Sequence, residues 1–227
     1  MVRGGTYALT ITETLSAVGW WMDLSEPNKT NMRELVVVRH GRTAWNAEGR
    51  FQGQTDVPLD EVGLAQARML AVGLAEEPFD FAVSSDLQRA VETARIALGG
   101  RSLELHQDAR WREGYFGSWE GRRWEDLVVE QPDRAFSHDP FIRFSPDGET
   151  FDQICERVRS AYEEIREGEA RSVLVVTHGG ALHAMLRVAL GAPAAEAMNI
   201  RFASGSLTRF RITKRGARLL DLNRTFD

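Results

Sequence analysis

From residue 35 onward, short apolar segments of strand length alternate with segments in which apolar residues recur at helical spacing. The strand pattern occurs at residues 35–38, 79–83, 103–105, 173–176, 207–212 and, more weakly, 219–222. Parallel strands need a long crossover connection, which a helix provides, so this alternation is typical of a mostly parallel sheet. The sequence therefore predicts an α/β fold: a single three-layer domain with a mostly parallel central sheet, helices on both faces and a small lid insertion.

Three amphipathic helices are predicted from apolar residues spaced three and four apart, and each apolar stripe should face the sheet. The first stripe is Val62, Ala65, Met69 and Val72, and the second is Leu87, Ala90, Val91, Ala94 and Leu98. The third stripe is Phe151, Ile154, Cys155, Val158, Ala161, Tyr162 and Ile165. Cys155 is the single cysteine of the chain, and its place in this stripe favours core packing over a reactive thiol.

The remaining segments define the expected organisation of the chain. Residues 1–31 show no clear periodicity, so we interpret them as a poorly ordered, dispensable N-terminal extension; a lid or oligomer arm that uses Trp20 and Trp21 is the alternative. Residues 32–227 form the expected domain, since the 43% hydrophobic content of the chain suffices for one sizeable core. Residues 107–147, rich in aromatic, proline and charged side chains, interrupt the alternation and are predicted to form the lid insertion.

Composition excludes several classes of partner. The net charge of −5 argues against general nucleic-acid binding, which requires a basic face. No segment reaches the roughly 18 uninterrupted apolar residues that a membrane helix needs, and no signal-peptide pattern opens the chain. A single cysteine excludes an internal disulfide and fits a reducing compartment. We therefore expect a cytoplasmic protein without nucleic-acid or membrane partners, and a homodimer stays open.

Basic and imidazole side chains follow three of the predicted strands. Arg39 and His40 close the first strand. Arg89 lies in the first turn of the helix after the second strand, and His178 ends a later strand. Parallel strands place these ends along one edge of the sheet, where helix N-termini add amide donors that suit a phosphate dianion. Each residue alone is more often structural, but together they indicate a phosphate site in which His40, flanked by Arg39 and Arg42, is a neutral nucleophile.

Six ordered blocks of the chain resemble the histidine phosphatase superfamily, in its phosphoglycerate-mutase-like branch. They are RHGRTAWN, QGQTDVPLDEVGLAQA, SSDLQRAVETA, REGYFGSWEG, GET and THGG. The resemblance implies a phosphatase, a metal-independent phosphoric monoester hydrolase, that acts on a small phosphomonoester through a phosphohistidine. The implied catalytic residues are His40 as nucleophile, Glu113 as proton donor, and Arg39, Arg89 and His178 as the phosphate pocket. Implied phosphate or substrate contacts come from Asn46, Gln52, Gly53 and Gly179.

The chemistry of phosphate esters agrees with these implied roles. Two arginines and a protonated His178 would neutralise the phosphoryl oxygens while His40 attacks phosphorus in line. The other ring nitrogen of His40 should donate to a backbone carbonyl, which fixes the tautomer. Glu113 would protonate the leaving alkoxide and then activate water. Glu120 is the alternative acid, but its place directly before Gly121 favours a structural role.

Two other function classes stay open beside hydrolysis. A mutase would pass the phosphoryl group to another hydroxyl of its substrate, but the mutases of this family usually carry an acid block Glu-Arg-x-Tyr-Gly-x-Leu and a longer basic insertion, so hydrolysis is favoured. A non-catalytic phosphate-binding module could share the fold, and the intact His40, Glu113 and His178 argue against it. The substrate stays open between a sugar phosphate, a phosphorylated amino acid and a nucleoside-like ester.

Aromatic side chains of the insertion either line a substrate mouth or pack on one another, and packing is the favoured interpretation. They are Trp111, Phe116, Trp119, Phe136, Phe141 and Phe144. Arg134 and Arg143 could meet a second acidic group of the substrate.

The sequence contains no P-loop glycine signature, no paired-aspartate magnesium motif and no His-x-x-x-His zinc spacing, so we expect no metal and no cofactor. A chelator should therefore leave the activity unchanged. Vanadate, which adopts the five-coordinate geometry of a transferring phosphoryl group, should inhibit. Steady-state assays before and after chelation and dialysis test this, and reactivation of a chelated sample by Mg²⁺ or Zn²⁺ would contradict it.

Overall fold

A computed structural model describes residues 33–130, 145–213 and 215–226. The predicted N-terminal extension, residues 1–31, lies outside these ranges, and so do residues 131–144 of the predicted lid insertion. Across the described ranges, no helix combines the length and the apolar character that crossing a membrane requires.

The strands of the described residues form one mixed sheet. They are β1 (Arg33–Arg39), β2 (Phe81–Ser84), β3 (Leu105–Gln107), β4 (Ser172–Thr177), β5 (Leu207–Thr213) and β6 (Gly216–Arg224). Their order across the sheet is β3-β2-β4-β1-β5-β6. β1 to β4 run parallel, whereas β5 pairs antiparallel with β1 and β6 antiparallel with β5. The predicted mostly parallel sheet is confirmed, and each predicted strand overlaps an observed one.

Seven helices are present in the described residues, and capping side chains or left-handed glycines mark the ends of several of them. They are α1 (Ala44–Ala47), α2 (Glu61–Gly73), α3 (Gln88–Leu98), α4 (Trp124–Glu130), α5 (Phe151–Glu167), α6 (Gly179–Leu190) and α7 (Ala194–Met198). Asp60 caps α2, and Thr150 forms a reciprocal capping box with Gln153 at the start of α5. Gly99 and Gly191 adopt left-handed backbone conformations that end α3 and α6.

The pleat of β1 divides the core into two layers. Leu35 and Val37 pack in a cluster with α5 and α6, whereas Val36 and Val38 pack in a second cluster with α2 and α3. All four side chains are fully buried, which stabilises the fold by about 1.5–3 kcal/mol for each. Helices therefore cover both faces of the sheet, as predicted.

The predicted apolar stripes of α3 and α5 are confirmed, and the stripe of α2 is wrong. Every predicted stripe residue of α3 and α5 is buried, including Cys155, and burial raises the pKa of this thiol to about 11. In α2, Val62 is 41% exposed and Val72 is 73% exposed. The buried residues of α2 are instead Gly63, Ala67 and Leu70.

A backbone contact explains which face α2 buries. A side chain at Gly63 would overlap the carbonyl oxygen of Arg42, and a Cβ atom at Gly41 would lie 2.5 Å from the carbonyl oxygen of Gly63. Only glycine permits so close an approach between two backbones. The loop after β1 thus selects the small-residue face of α2, a preference that apolar spacing does not record.

Replacement of Gly63 by alanine should lower the free energy of unfolding by about 2 kcal/mol, because the added methyl group must displace the backbone at Arg42. At an ordinary glycine inside a helix, the same replacement would instead raise the free energy of unfolding by roughly 0.5–1 kcal/mol. Gly73→Ala in the same helix is the comparison variant, since the three atoms nearest to its methyl group all belong to the side chain of Phe226 and none to the backbone. Urea unfolding compares the two variants, and a Gly63→Ala protein as stable as the comparison variant would contradict the contact.

Candidate active site

The parallel strands bring the predicted catalytic residues to one edge of the sheet. Arg39, the last residue of β1, lies opposite Thr177, the last residue of β4. His40 and His178 therefore follow side by side at the carboxyl ends of these two parallel strands. The centroids of their two rings are 5.0 Å apart. Arg89, in the first turn of α3, reaches the same point and donates from Nε to Nδ1 of His178 over 3.2 Å. Side chains that are distant in sequence thus form one cluster.

The His40 ring is oriented by the backbone. Nδ1 lies 2.7 Å from the carbonyl oxygen of Gly41, so Nδ1 donates and the lone pair is on Nε2. Burial, followed by the charges of Arg89 and Arg39, lowers the pKa of His40 well below its ordinary value of 6.5. The predicted backbone hydrogen bond is therefore confirmed, and the direction of the pKa shift supports the predicted neutral imidazole. Arg42, the second cation expected beside His40, pairs instead with Asp60.

Arg89 is a fully buried cation that backbone carbonyl groups hold in place. Its Nη1 donates to the carbonyl oxygen of Thr55 over 2.8 Å, and its Nη2 donates to that of Gly53 over 2.7 Å. Burial lowers its pKa to about 10, so the guanidinium remains charged at neutral pH. The cluster therefore contains a permanent positive charge with a fixed orientation.

Two buried donors of the cluster, Nε2 of His178 and Nε of Arg39, have no hydrogen-bond partner within the described residues. His178 accepts a hydrogen bond at Nδ1, so its neutral ring carries the proton on Nε2. Burial, followed by the charge of Arg89, lowers the pKa of His178 well below 6.5. The hydrogen bond from Arg89 and the direction of this pKa shift favour a neutral His178 that donates from Nε2, rather than the protonated ring expected from the sequence. Unpaired buried donors cost free energy that a bound anion would offset.

Glu113 lies at the N-terminus of α6, beside this cluster. Its Oε1 accepts hydrogen bonds from the backbone N–H groups of Gly114 at 2.8 Å and Gly180 at 2.9 Å. A Cβ atom at Gly179 would lie 3.8 Å from both Oε2 of Glu113 and Nε of Arg39. A group bound at the start of α6 would therefore meet a cation on one side and a carboxylate on the other. Nowhere in the described ranges do three His, Cys, Asp or Glu side chains group as metal ligands.

Glu120, the alternative acid, has the structural role that the sequence favoured. Its carboxylate accepts hydrogen bonds from the backbone N–H groups of Gln54, Thr55 and Phe116 and from the Thr55 hydroxyl. A side chain at Gly53, where φ is +54°, would overlap this carboxylate. Because the carbonyl groups of residues 53 and 55 hold the buried guanidinium, Glu120 supports the loop around it.

Asn46 and Gln52, two of the predicted contact residues, are joined through Thr43. The Thr43 hydroxyl lies 2.9 Å from Oε1 of Gln52 and 3.2 Å from Oδ1 of Asn46. The amide nitrogens of both side chains make no hydrogen bond within the described residues. Gly53 contributes its carbonyl oxygen to Arg89. Direct substrate contacts from these residues stay a prediction.

The aromatic side chains near the site are packed rather than displayed. Trp111 is 1% exposed and belongs to the core cluster on the face of the sheet that α5 and α6 cover. Trp119 is 2% exposed. Phe51 contacts the rings of Phe116, Trp119 and Trp124, with centroids 5.2 to 5.7 Å away. The favoured interpretation of packing is confirmed for Trp119, whereas Trp111 joins the main core. The remaining candidates lie outside the described residues: Phe136, Phe141, Phe144, Arg134 and Arg143.

Sequence reasoning missed two residues that hold the cluster in place. Thr55 fixes Arg89 through its carbonyl oxygen, and Arg157 donates to the carbonyl oxygen of Glu113 over 2.8 Å. Contacts to a backbone carbonyl leave no trace in the identity of the accepting residue. A helix arginine such as Arg157 is ordinarily solvated, so its residue type alone carried no signal.

Comparison with known proteins agrees with the geometry of the cluster. The model of the histidine phosphatase superfamily, branch 1, matches residues 35–225, and the chain belongs to this superfamily. A metal-independent phosphoserine phosphatase of Arabidopsis thaliana is 38% identical over 178 residues, 75% of each chain. A probable phosphoglycerate mutase of Yersinia pestis is 34% identical over 181 residues, 78% of this chain and 84% of that one. The crystal structure of the α-ribazole phosphatase of Shigella flexneri has a TM-score of 0.76 at 31% identity and covers 84% of this chain and 96% of its own.

The depressed pKa values of His40 and His178 should make stability depend on pH. Below pH 6.5 the unfolded chain binds protons at these histidines, whereas the folded protein excludes them. The free energy of unfolding should therefore fall by up to about 1.4 kcal/mol per pH unit for each of them as the solution is acidified. Urea unfolding between pH 7.5 and 5 measures the slope, which His178→Gln should reduce. The exposed His106, replaced by Gln, is the control, and equal slopes for both variants would contradict the assignment.

Proposed function

We propose that the protein is a phosphatase that hydrolyses a small phosphomonoester through a covalent phosphohistidine on His40. The observation that carries this proposal is the combination of a neutral, buried His40 with two unpaired buried donors and the charge of Arg89. A phosphoryl group needs both a nucleophile and compensation of its charge. The match to the superfamily and the phosphatases among the relatives of this chain also support a phosphatase.

In the first step, the lone pair on Nε2 of His40 attacks phosphorus in line as the bond to the ester oxygen breaks. Arg39, Arg89 and the neutral Nε2–H of His178 stabilise the phosphoryl oxygens, whose charge is spread in the transition state. Glu113, in its protonated form, gives its proton to the departing oxygen, so the product leaves as an alcohol. His40 then carries the phosphoryl group, and Glu113 is ionised.

In the second step, water takes the position of the departed alcohol. Glu113 accepts a proton from this water while the oxygen attacks phosphorus, and the bond from phosphorus to Nε2 of His40 breaks. Inorganic phosphate leaves, and both residues return to their starting protonation states. The hydrogen bond from Nδ1 of His40 to the Gly41 carbonyl keeps the ring oriented through both steps.

Phosphoryl transfer to a second hydroxyl, as in a mutase, is the alternative that one relative favours, since it is named a probable phosphoglycerate mutase. The same phosphohistidine would serve both reactions. Assays on 3-phosphoglycerate with and without a bisphosphate primer, beside phosphoserine and a panel of sugar phosphates, separate the two activities. Release of inorganic phosphate without isomerised product supports hydrolysis.

Replacement of His40 by alanine should abolish turnover and remove the phosphoenzyme, because no other neutral imidazole can attack from its position. Rapid-quench labelling with a radiolabelled substrate should give wild-type protein whose label is lost in acid and kept in base, as for a phosphoramidate. A label that survives acid, or that still forms on His40→Ala, would show that His40 is not the nucleophile.

Replacement of Glu113 by glutamine should slow alkyl phosphates by about 100-fold or more and aryl phosphates far less, because an activated aryl oxygen departs without a proton. Phosphoserine and 4-nitrophenyl phosphate are suitable substrates for the comparison of kcat/KM. Glu120→Gln is a useful contrast, since a residue that supports the pocket around Arg89 should affect both substrates alike. Equal losses on both substrates in Glu113→Gln would exclude it as the acid.

A further inference from the structure

The GET block, residues 148–150, has no role in the mechanism so far, although it lies against the segment that carries Glu113. We propose that Glu149 and Arg157 are positioning residues that together set the Glu113 carboxylate for proton transfer to the leaving group. The inference rests on the proposed function of Glu113. In this role the GET block would act on the proposed proton donor, Glu113, and not on the residues of the phosphate pocket.

Arg157 holds the backbone on the N-terminal side of Glu113 and at the residue itself. Its Nη1 donates to the carbonyl oxygens of Arg110 at 2.9 Å and Arg112 at 2.6 Å. Its Nη2 donates to the carbonyl oxygen of Glu113 at 2.8 Å. One guanidinium therefore fixes three carbonyl groups within four consecutive residues, which a lysine with its single ammonium cannot reproduce.

Glu149 holds the backbone on the C-terminal side. Its Oε2 accepts a hydrogen bond from the N–H of Tyr115 at 2.8 Å, and its own N–H donates to the Tyr115 carbonyl oxygen, also at 2.8 Å. The same carboxylate pairs with Arg157 through Oε1 at 3.0 Å and Oε2 at 3.1 Å. The two side chains are 22% and 18% exposed, so water weakens this pair less than it would a surface pair. Together they bracket Glu113 from both sides.

The segment around Glu113 needs this support because it has no regular secondary structure of its own. Residues 112–116 connect two short 3₁₀ turns, Ala109–Trp111 and Gly117–Trp119, and belong to no strand or helix. The carbonyl groups of this segment lack the regular backbone hydrogen bonds of a helix or strand, so they depend on donors from other parts of the chain. Gln54 adds one more contact, from Nε2 to the Glu113 carbonyl oxygen at 3.2 Å.

The packing of α5 against α6 links this bracket to the Glu113 carboxylate. Arg157 lies on α5 and holds the Glu113 backbone, whereas Gly180 lies on α6 and donates to both carboxylate oxygens, at 2.9 and 3.2 Å. The two helices share one hydrophobic cluster, which includes Val158 and Leu182. The backbone and the side chain of the acid are thus held by one rigid helix pair, and misplacing either end moves the carboxylate relative to the leaving oxygen.

The effect of losing this bracket should depend on the leaving group. An acid displaced by a fraction of an ångström protonates an alkoxide less well, but a nitrophenolate departs without its help. We expect Glu149→Gln and Arg157→Lys each to lower kcat/KM for phosphoserine by about tenfold, and for 4-nitrophenyl phosphate by less than about twofold. A merely structural defect would lower both values equally.

The measured quantity is the ratio of kcat/KM for the two substrates, which does not depend on the fraction of folded enzyme. Glu164→Gln is the matched control: Glu164 also lies on α5 and pairs with an arginine, Arg110, but its side chain is 71% exposed and its ion pair is to a side chain rather than to the backbone of residues 112–115. Its ratio should equal that of the wild type. Glu113→Gln is measured in the same series.

The outcomes separate this inference from the proposed function. A changed ratio in Glu113→Gln, Glu149→Gln and Arg157→Lys, with an unchanged ratio in Glu164→Gln, supports both. A changed ratio in Glu113→Gln alone overturns the positioning role and leaves the proposed acid intact. An unchanged ratio in Glu113→Gln overturns the acid itself, and the inference with it. Equal losses on both substrates in Glu149→Gln and Arg157→Lys assign these two residues to folding only.

Discussion

The parallel pairing of β1 with β4 is the interaction on which the rest of the site depends. It sets Arg39 opposite Thr177, and the N–H of His40 continues the ladder by donating to the Thr177 carbonyl oxygen at 2.9 Å. A slip by one residue would move His40 by about 3.3 Å along the strand direction, away from its level beside His178, and turn it to the opposite face of the sheet. Since both faces of β1 are apolar, side-chain alternation constrains this register weakly. The tight contact of Gly41 with Gly63 constrains it further.

The second constraint is the cost of burying positive charge at that edge. A buried guanidinium is tolerated only when its donors are satisfied, and the loop at residues 53–55 satisfies two of the donors of Arg89 with carbonyl oxygens. Glu120 holds that loop in shape from outside the cluster. The same burial that makes Arg89 costly lowers the pKa values of His40 and His178 well below 6.5, so one physical cause supports a fixed cation, the proposed nucleophile and a neutral hydrogen-bond donor.

The proposed proton donor is organised on different elements from the proposed nucleophile. His40 is placed by the sheet, whereas Glu113 sits in an irregular segment held by α6 through its carboxylate and by α5 through its backbone. The geometry between the two therefore depends on how α5 and α6 pack on the sheet, through the cluster that contains Val37 and Ile154. The hydrophobic core therefore sets the distance between His40 and Glu113, the proposed nucleophile and the proposed acid.

Sequence alone determined the strands, the stripes of α3 and α5, and the clustering of histidines and arginines at strand ends. These features depend on the spacing of apolar residues and on which residues directly follow a strand, and both can be found within a short stretch of chain. It misplaced the buried face of α2, since the backbone contact at Gly63 leaves no apolar signal. It also did not anticipate the lowered pKa of His178, which follows from burial and from the charge of Arg89 across the site. The sequence did not predict the role of Arg157. The Arg157 guanidinium contacts backbone carbonyl groups more than 40 positions away, and a residue of any type would present such a group. Tertiary structure decided these three, since each depends on what lies opposite a residue in space rather than beside it in the chain.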